Sequence, residues 1–161
     1  MTEPEEIIES RIVAQIVGAK PDVPVLGALA PSQPGTEKVA PDSHVSVSVD
    51  LAGQGLDWKG PGIPCDYSVS IAVRVAESDD PTGELFRAVC RTVRAALDAL
   101  LGDGCSTLDG DGFFCDAFVL SGTQTARMAF GDFTQFVKAY TATLTGRFIP
   151  QQETKQEEQN G

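Results

Sequence analysis

The sequence predicts an α+β domain, with a largely antiparallel sheet, one central packed helix and an N-terminal amphipathic helix. Three observations carry this. Residues 67–75 alternate, with Tyr67, Val69, Ile71, Val73 and Val75 on one side and Ser68, Ser70, Ala72 and Arg74 on the other, the pattern of a half-buried strand. The period then changes, because Leu85, Phe86, Val89, Cys90, Val93, Leu97, Leu100 and Leu101 recur at helical spacing with Arg87, Arg91, Arg94 and Asp98 between them. Most of the links between strand candidates are too short for crossover helices, so hairpins predominate.

Taken in order, residues 2–17 read as a first helix. Pro4 suits its first turn, the early glutamates suit the positive end of its dipole, and Gly18 suits its end. Its apolar stripe is Ile8, Ile12 and Ile16, widened by Ile7, Val13 and Val17. Five prolines punctuate residues 18–43. Residues 23–29 give a short strand that Pro24 confines to a sheet edge, and the remainder reads as an extended loop. Val45, Val47, Val49 and Leu51 alternate with Ser46, Ser48 and Asp50 as a strand with one wet face. Residues 52–66, rich in Gly and Pro, read as a long hairpin arm to the strand at 67–75, with Leu56, Trp58 and Ile63 on it.

Asp80 and Pro81 are placed to cap and open the central helix, and Gly102 to end it in a left-handed conformation. Residues 103–112 form a turn-rich connector, 113–120 a buried strand, and 124–130 a further strand. In residues 136–149 Phe136, Tyr140, Leu144 and Phe148 share a face with Lys138, Ala142 and Gly146, while Thr141, Thr143 and Thr145 line the other. The expected organisation is one domain over residues 1–150 and a disordered charged tail over 151–161.

A chain of 161 residues with this composition buries a proper core without disulfides or metal. Twelve basic against 23 acidic residues give a formal charge of −11. That balance argues against wrapping nucleic acid, which Lys and Arg would have to hold, and against an anionic membrane surface. No stretch reaches the roughly 20 apolar residues a membrane-spanning helix needs. Glu3, Glu5, Glu6 and Glu9 are the wrong sign for a signal peptide. Cys65, Cys90, Cys105 and Cys115 contain no CxxC pair and no His at ligand spacing, so a reducing setting with Cys90 as a small core residue is expected.

Candidates for chemistry are few. His44, the one histidine, stands at the start of a strand with no GxSxG elbow anywhere, and reads as a surface strand residue. Asp103, Asp109, Asp111 and Asp116 cluster in a Gly-rich connector that matches the opening of a calcium loop. Phe113 stands where the next oxygen ligand belongs, and the closing Glu is missing. A small ligand- or calcium-binding α+β domain is therefore the alternative reading. No Gly-rich phosphate loop is present, and no catalytic residue, metal site or cofactor is expected. Arg87, Arg91 and Arg94 form a basic stripe that is either a solvated helix face or a site for phosphate or an acidic partner. Trp58 either folds back on the core or anchors a partner.

In layout, residues 2–149 resemble the tail terminator (tail completion) proteins of long-tailed bacteriophages. The likeness lies in an acidic N-terminal helix, a proline-rich link and a long-armed hairpin. It continues through YSVSIAVRVAESDDPTGELFRAVCRTVRAALDALL as strand, turn and packed helix, and FVKAYTATLTGRFIP as the closing strand. The resemblance implies a non-enzymatic virion protein of the tail or neck, assembled in the host cytoplasm. It would form a homo-oligomeric ring, commonly a hexamer, that caps the tail tube and meets the head connector. The sheets would face the ring's inside or the neighbouring subunit, and an acidic lining would not hold DNA. Leu56, Trp58, Ile63, Arg87, Arg91 and Arg94 are the expected partner interface.

Overall fold

Residues 4–28, 42–54, 62–110 and 112–149 are described by the computed structural model. The apolar set of each strand decides which face is covered. Val45, Val47 and Val49 of β2 (His44–Gln54) pair across to Val73, Ile71 and Val69 of β3 (Ile63–Ala76). Those three in turn lie beside Lys138, Tyr140 and Ala142 of β5 (Phe133–Phe148). Because side chains alternate with period two, all of these project to one side, where two helices cover them. The α+β class and the largely antiparallel sheet are as the sequence predicts, with strand order β1-β2-β3-β5-β4. The one parallel pairing is β1 (Val25–Gly27) on the edge of β2, which Pro24 allows because an edge strand can spare a donor.

Helix α1 (Pro4–Gly18) lies over β1 and β2 and buries Ile7, Ile8, Ile12 and Ile16. Val17 is 52% exposed, so the expected stripe is one residue too wide at its end. Helix α2 (Glu84–Asp98) packs on β3 and buries Val89, Cys90, Val93, Ala96 and Leu97. Val73, Val89, Val93 and Leu97 belong to one buried cluster, as their spacing requires.

Several boundaries differ from expectation. Helix α2 begins four residues after Asp80, because a tight turn ending in the left-handed Gly83 (φ 78°) intervenes. Asp80 still serves the helix from outside: it is 3% exposed and its carboxylate accepts from the backbone N–H of Leu85 (3.1 Å) and Phe86 (2.8 Å). Gly102 is left-handed (φ 60°) but opens a 3₁₀ segment, Gly102–Leu108, that follows the helix. Both ends of the arm at 52–66 belong to the sheet. A register shift between Leu51 and Gly53 lets Gly53 pair with Asp66 and Gln54 with Cys65, while residues 55–61 lie outside the described residues.

The two strands expected over 113–130 are a single strand, β4 (Phe113–Phe130), with irregularities between Cys115 and Ala117 and between Leu120 and Gly122. The Ser121–Gly122 pair that reads as a break is absorbed there without ending the pairing. Strand β5 starts at Phe133, ahead of residue 136, after a turn with Gly131 at φ 63°. His44 is 8% exposed on β2 opposite Arg74, so it is a buried strand residue and the expected surface position is corrected. Its face is covered at that end of the sheet, where the Gln135 amide donates to the Asp42 carbonyl at 2.7 Å.

Candidate functional site

Among the described residues, α1 and α2 both cover the same face of the sheet. The other face carries small hydroxyl side chains in register: Ser48, Ser70 and Thr141 lie side by side, as do Ser68 and Thr143, and Thr145 lies beside Asp66. Ser68, Ser70, Thr141, Thr143 and Thr145 are exposed. The alternation of hydrophobe and hydroxyl along β3 and β5 produces this surface directly.

Among the described residues, β4 and the part of β2 beyond β1 leave ladder groups open. β4 pairs with β5 on one side and with no strand on the other among the described residues. Every residue from Ser121 to Ala129 is exposed, on both faces of the sheet. Val119 (56%), Phe114 (41%) and Met128 (40%) are among the exposed large hydrophobes of the molecule. At the opposite end, among the described residues, β1 pairs with Val45 to Val47 of β2, and beyond it Leu51 is 48% exposed. Unpaired edges of this kind template another strand unless charge or proline blunts them. The exposed stretch of β4 carries one charge, Arg127, already paired to Glu77 at 2.6 Å.

A third feature is a cleft of about 460 Å³ between α2 and the β4–β5 hairpin. Its floor is aromatic. Phe86 and Phe136 stack at 5.7 Å, and the Tyr140 hydroxyl donates to the Cys90 carbonyl at 3.2 Å. Burial, reinforced by Cys90, pushes the Tyr140 phenol well above its ordinary range. Its rim is basic. Arg87, Arg91 and Arg94 come from successive turns of α2, and Lys138 projects from β5 with Nζ 5.5 Å from the Tyr140 ring centroid. Arg94 pairs with Asp98 at 3.0 Å; Arg87, Arg91 and Lys138 have no ion pair among the described residues.

Of the partner residues expected from sequence, the structure brings the three arginines together and adds Lys138, Phe86 and Tyr140 to them. The signal for Lys138 was a cation standing on the inward face of an otherwise apolar strand. Ile63 lies at the far end of β3 opposite Phe148, partly buried against the core and apart from the cleft. Leu56 and Trp58 lie outside the described residues. The open edge of β4 is not visible in the sequence, because exposure of both faces leaves no alternation to read.

The calcium-like connector is otherwise engaged. The Asp109 carboxylate accepts from the Cys115 backbone N–H at 2.6 Å, and Asp116 takes two bonds from the Arg147 guanidinium at 3.2 Å. Asp103 is exposed, and Asp111 lies outside the described residues. No group of three or more metal-ligating side chains occurs among the described residues. All four cysteines are buried as thiols, and burial raises Cys65, Cys90 and Cys115 further from the reactive thiolate.

No protein-family model matches the chain, and no curated protein matches it. Among solved structures, a chain from the virion of a native gene transfer agent particle aligns with 86% of this chain and 91% of its own length. The identity is 18% and the TM-score 0.45. A likeness at that level carries no argument about function, so the reading below rests on the sequence layout and on the edges and faces just described. No helix among the described residues is long and apolar enough to cross a membrane.

Proposed function

We propose that the chain is a non-enzymatic structural subunit of a phage-type particle. In this reading it is a tail terminator (tail completion) protein whose copies close into a ring, commonly a hexamer, on the end of the tail tube and present a surface to the head connector. The supporting observation is the pair of open sheet edges. β2 and β4 lie at opposite ends of the antiparallel run β2-β3-β5-β4, so they point in opposite directions. When β4 of one copy meets the outer half of β2 of the next, the two strands are antiparallel and the sheet continues across the boundary. An interface of this head-to-tail kind generates a ring if the rotation closes. It also covers Val119, Met128 and Leu51, which a lone copy leaves in water.

The hydroxyl face of the sheet suits the inner wall of such a ring, and the net charge of −11 suits a passage that must not hold DNA. One domain spanning residues 1–150 completes the proposal; the tail expected over 151–161 lies outside the described residues. The test is electron microscopy of purified tail tubes incubated with the protein. A ring at one end of each tube is expected, and tubes that stay bare at every protein concentration refute the assignment.

A further inference from the structure

Four of the chain's twelve basic residues line one cleft against a single acidic one, Asp98, which pairs with Arg94 and leaves Arg87, Arg91 and Lys138 without an ion pair among the described residues. Grouping cations in this way has an electrostatic cost unless a negative group joins them. Phe86 and Tyr140 floor the cleft, so it fits a peptide surface better than a bare anion. The helical layer is also incomplete beside it. Thr123, Thr125 and Arg127 of β4 pair with Tyr140, Lys138 and Phe136 and therefore face the helix side of the sheet, yet all three are exposed. Neither helix of the same copy reaches over them.

We infer that this cleft is the docking site for the acidic first turn of α1 from a second copy of the chain. Two observations select that occupant. The first turn of α1 carries Glu5 and Glu6, and Glu6 is exposed. Helix α1 covers β1 and β2, at the opposite edge of the same sheet and on the same face as α2. A neighbour whose β2 edge meets β4 therefore brings its α1 to the uncovered side of α2, where Arg87 and Arg91 stand without an ion pair among the described residues. The inference rests on the ring reading and specifies which side chains set its register. Charge pairs of this type choose the partner and its orientation more than they add affinity.

The experiment compares four full-length chains by sedimentation velocity at low and high salt, with circular dichroism reporting the fold of each. They are the wild type, Arg87→Glu/Arg91→Glu, Glu5→Arg/Glu6→Arg, and the chain combining all four changes. Each double variant is expected to weaken self-association by roughly tenfold or more at low salt, and the combined chain to recover it. Arg87→Ala/Arg91→Ala, which reverses no charge, is expected to weaken association less. Loss with the arginine variant but not with the glutamate variant overturns α1 as the occupant and points to an acidic segment of a different protein. An oligomeric wild type that neither variant disturbs overturns the inference and leaves the ring reading standing. A wild type that stays monomeric both alone and with purified tail tubes overturns both.

Discussion

Asp80 shows how one side chain joins two elements: its carboxylate is buried, yet both of its acceptors serve the first turn of α2. Asp80→Ala leaves those N–H groups unmet and is expected to cost about 1–2 kcal/mol in chemical denaturation, the range of lost helix caps. Leu97, 1% exposed, fills the space between α2 and the sheet. Leu97→Ala should cost about 2–5 kcal/mol, as large-to-small core changes do; a loss under about half a kcal/mol contradicts the packing described. The raised thiols and phenol carry a pH signature. Unfolding lets Cys65, Cys90 and Cys115 return toward 9.0 and Tyr140 toward 10.0. The unfolded chain then binds fewer protons than the native one, so stability is fully present below pH 9 and falls as pH rises above it. Thermal melts should show that fall, and Tyr140→Phe should flatten the part of it above pH 10. Trp58, in the connection between β2 and β3, is expected to anchor a partner. Trp58→Ala should leave the circular dichroism spectrum unchanged and weaken association by about 2 kcal/mol or more, the threshold of a hot spot. Unfolding of that variant assigns Trp58 to the core instead.

At the scale of elements, Gly146 shows how tightly β5 and the start of β4 pack together. A Cβ there would come within 2.5 Å of both the Phe113 ring and the Phe114 carbonyl oxygen. Gly146→Ala should therefore destabilise by about 1–3 kcal/mol, the cost of overpacking. The elements legible in the sequence are those with one wet and one dry face. α2, β2, β3 and the end of β5 are placed by their period alone, and edge strand β1 by Pro24. What the period missed is physical in each case. The outer half of β4 is wet on both faces, so 113–120 and 124–130 read as two strands when they are one with an irregularity between Leu120 and Gly122. The arm between β2 and β3 looked long because Gly53 disguises a paired stretch that a register shift extends to Gln54. His44 looked exposed because nothing local announces that residues 42–43 lie near the other face. At the site, the arginine stripe was legible as helical spacing. Its aromatic floor was not, because Phe86 and Tyr140 meet only through the tertiary fold.

For the whole molecule, the balance of forces sets a specific expectation. Copies carrying a charge of −11 repel one another, so association must come from desolvated edges and the local cleft, and salt should act on the two differently. Added salt weakens the arginine contacts while relieving the overall repulsion between copies. Placing a lysine at the exposed β4 positions Val119 and Met128 should block strand addition while leaving the fold intact, since both side chains lie in water in a lone copy. The central claim is that the sheet edges close copies of this chain into a ring, and its most direct measurement is mass in solution. Size-exclusion chromatography with light scattering, with and without purified tail tubes, should give a discrete species several times the 17.0 kDa of one chain, about six times for the expected hexamer. A single species at 17.0 kDa under both conditions, across the accessible concentration range, would contradict it.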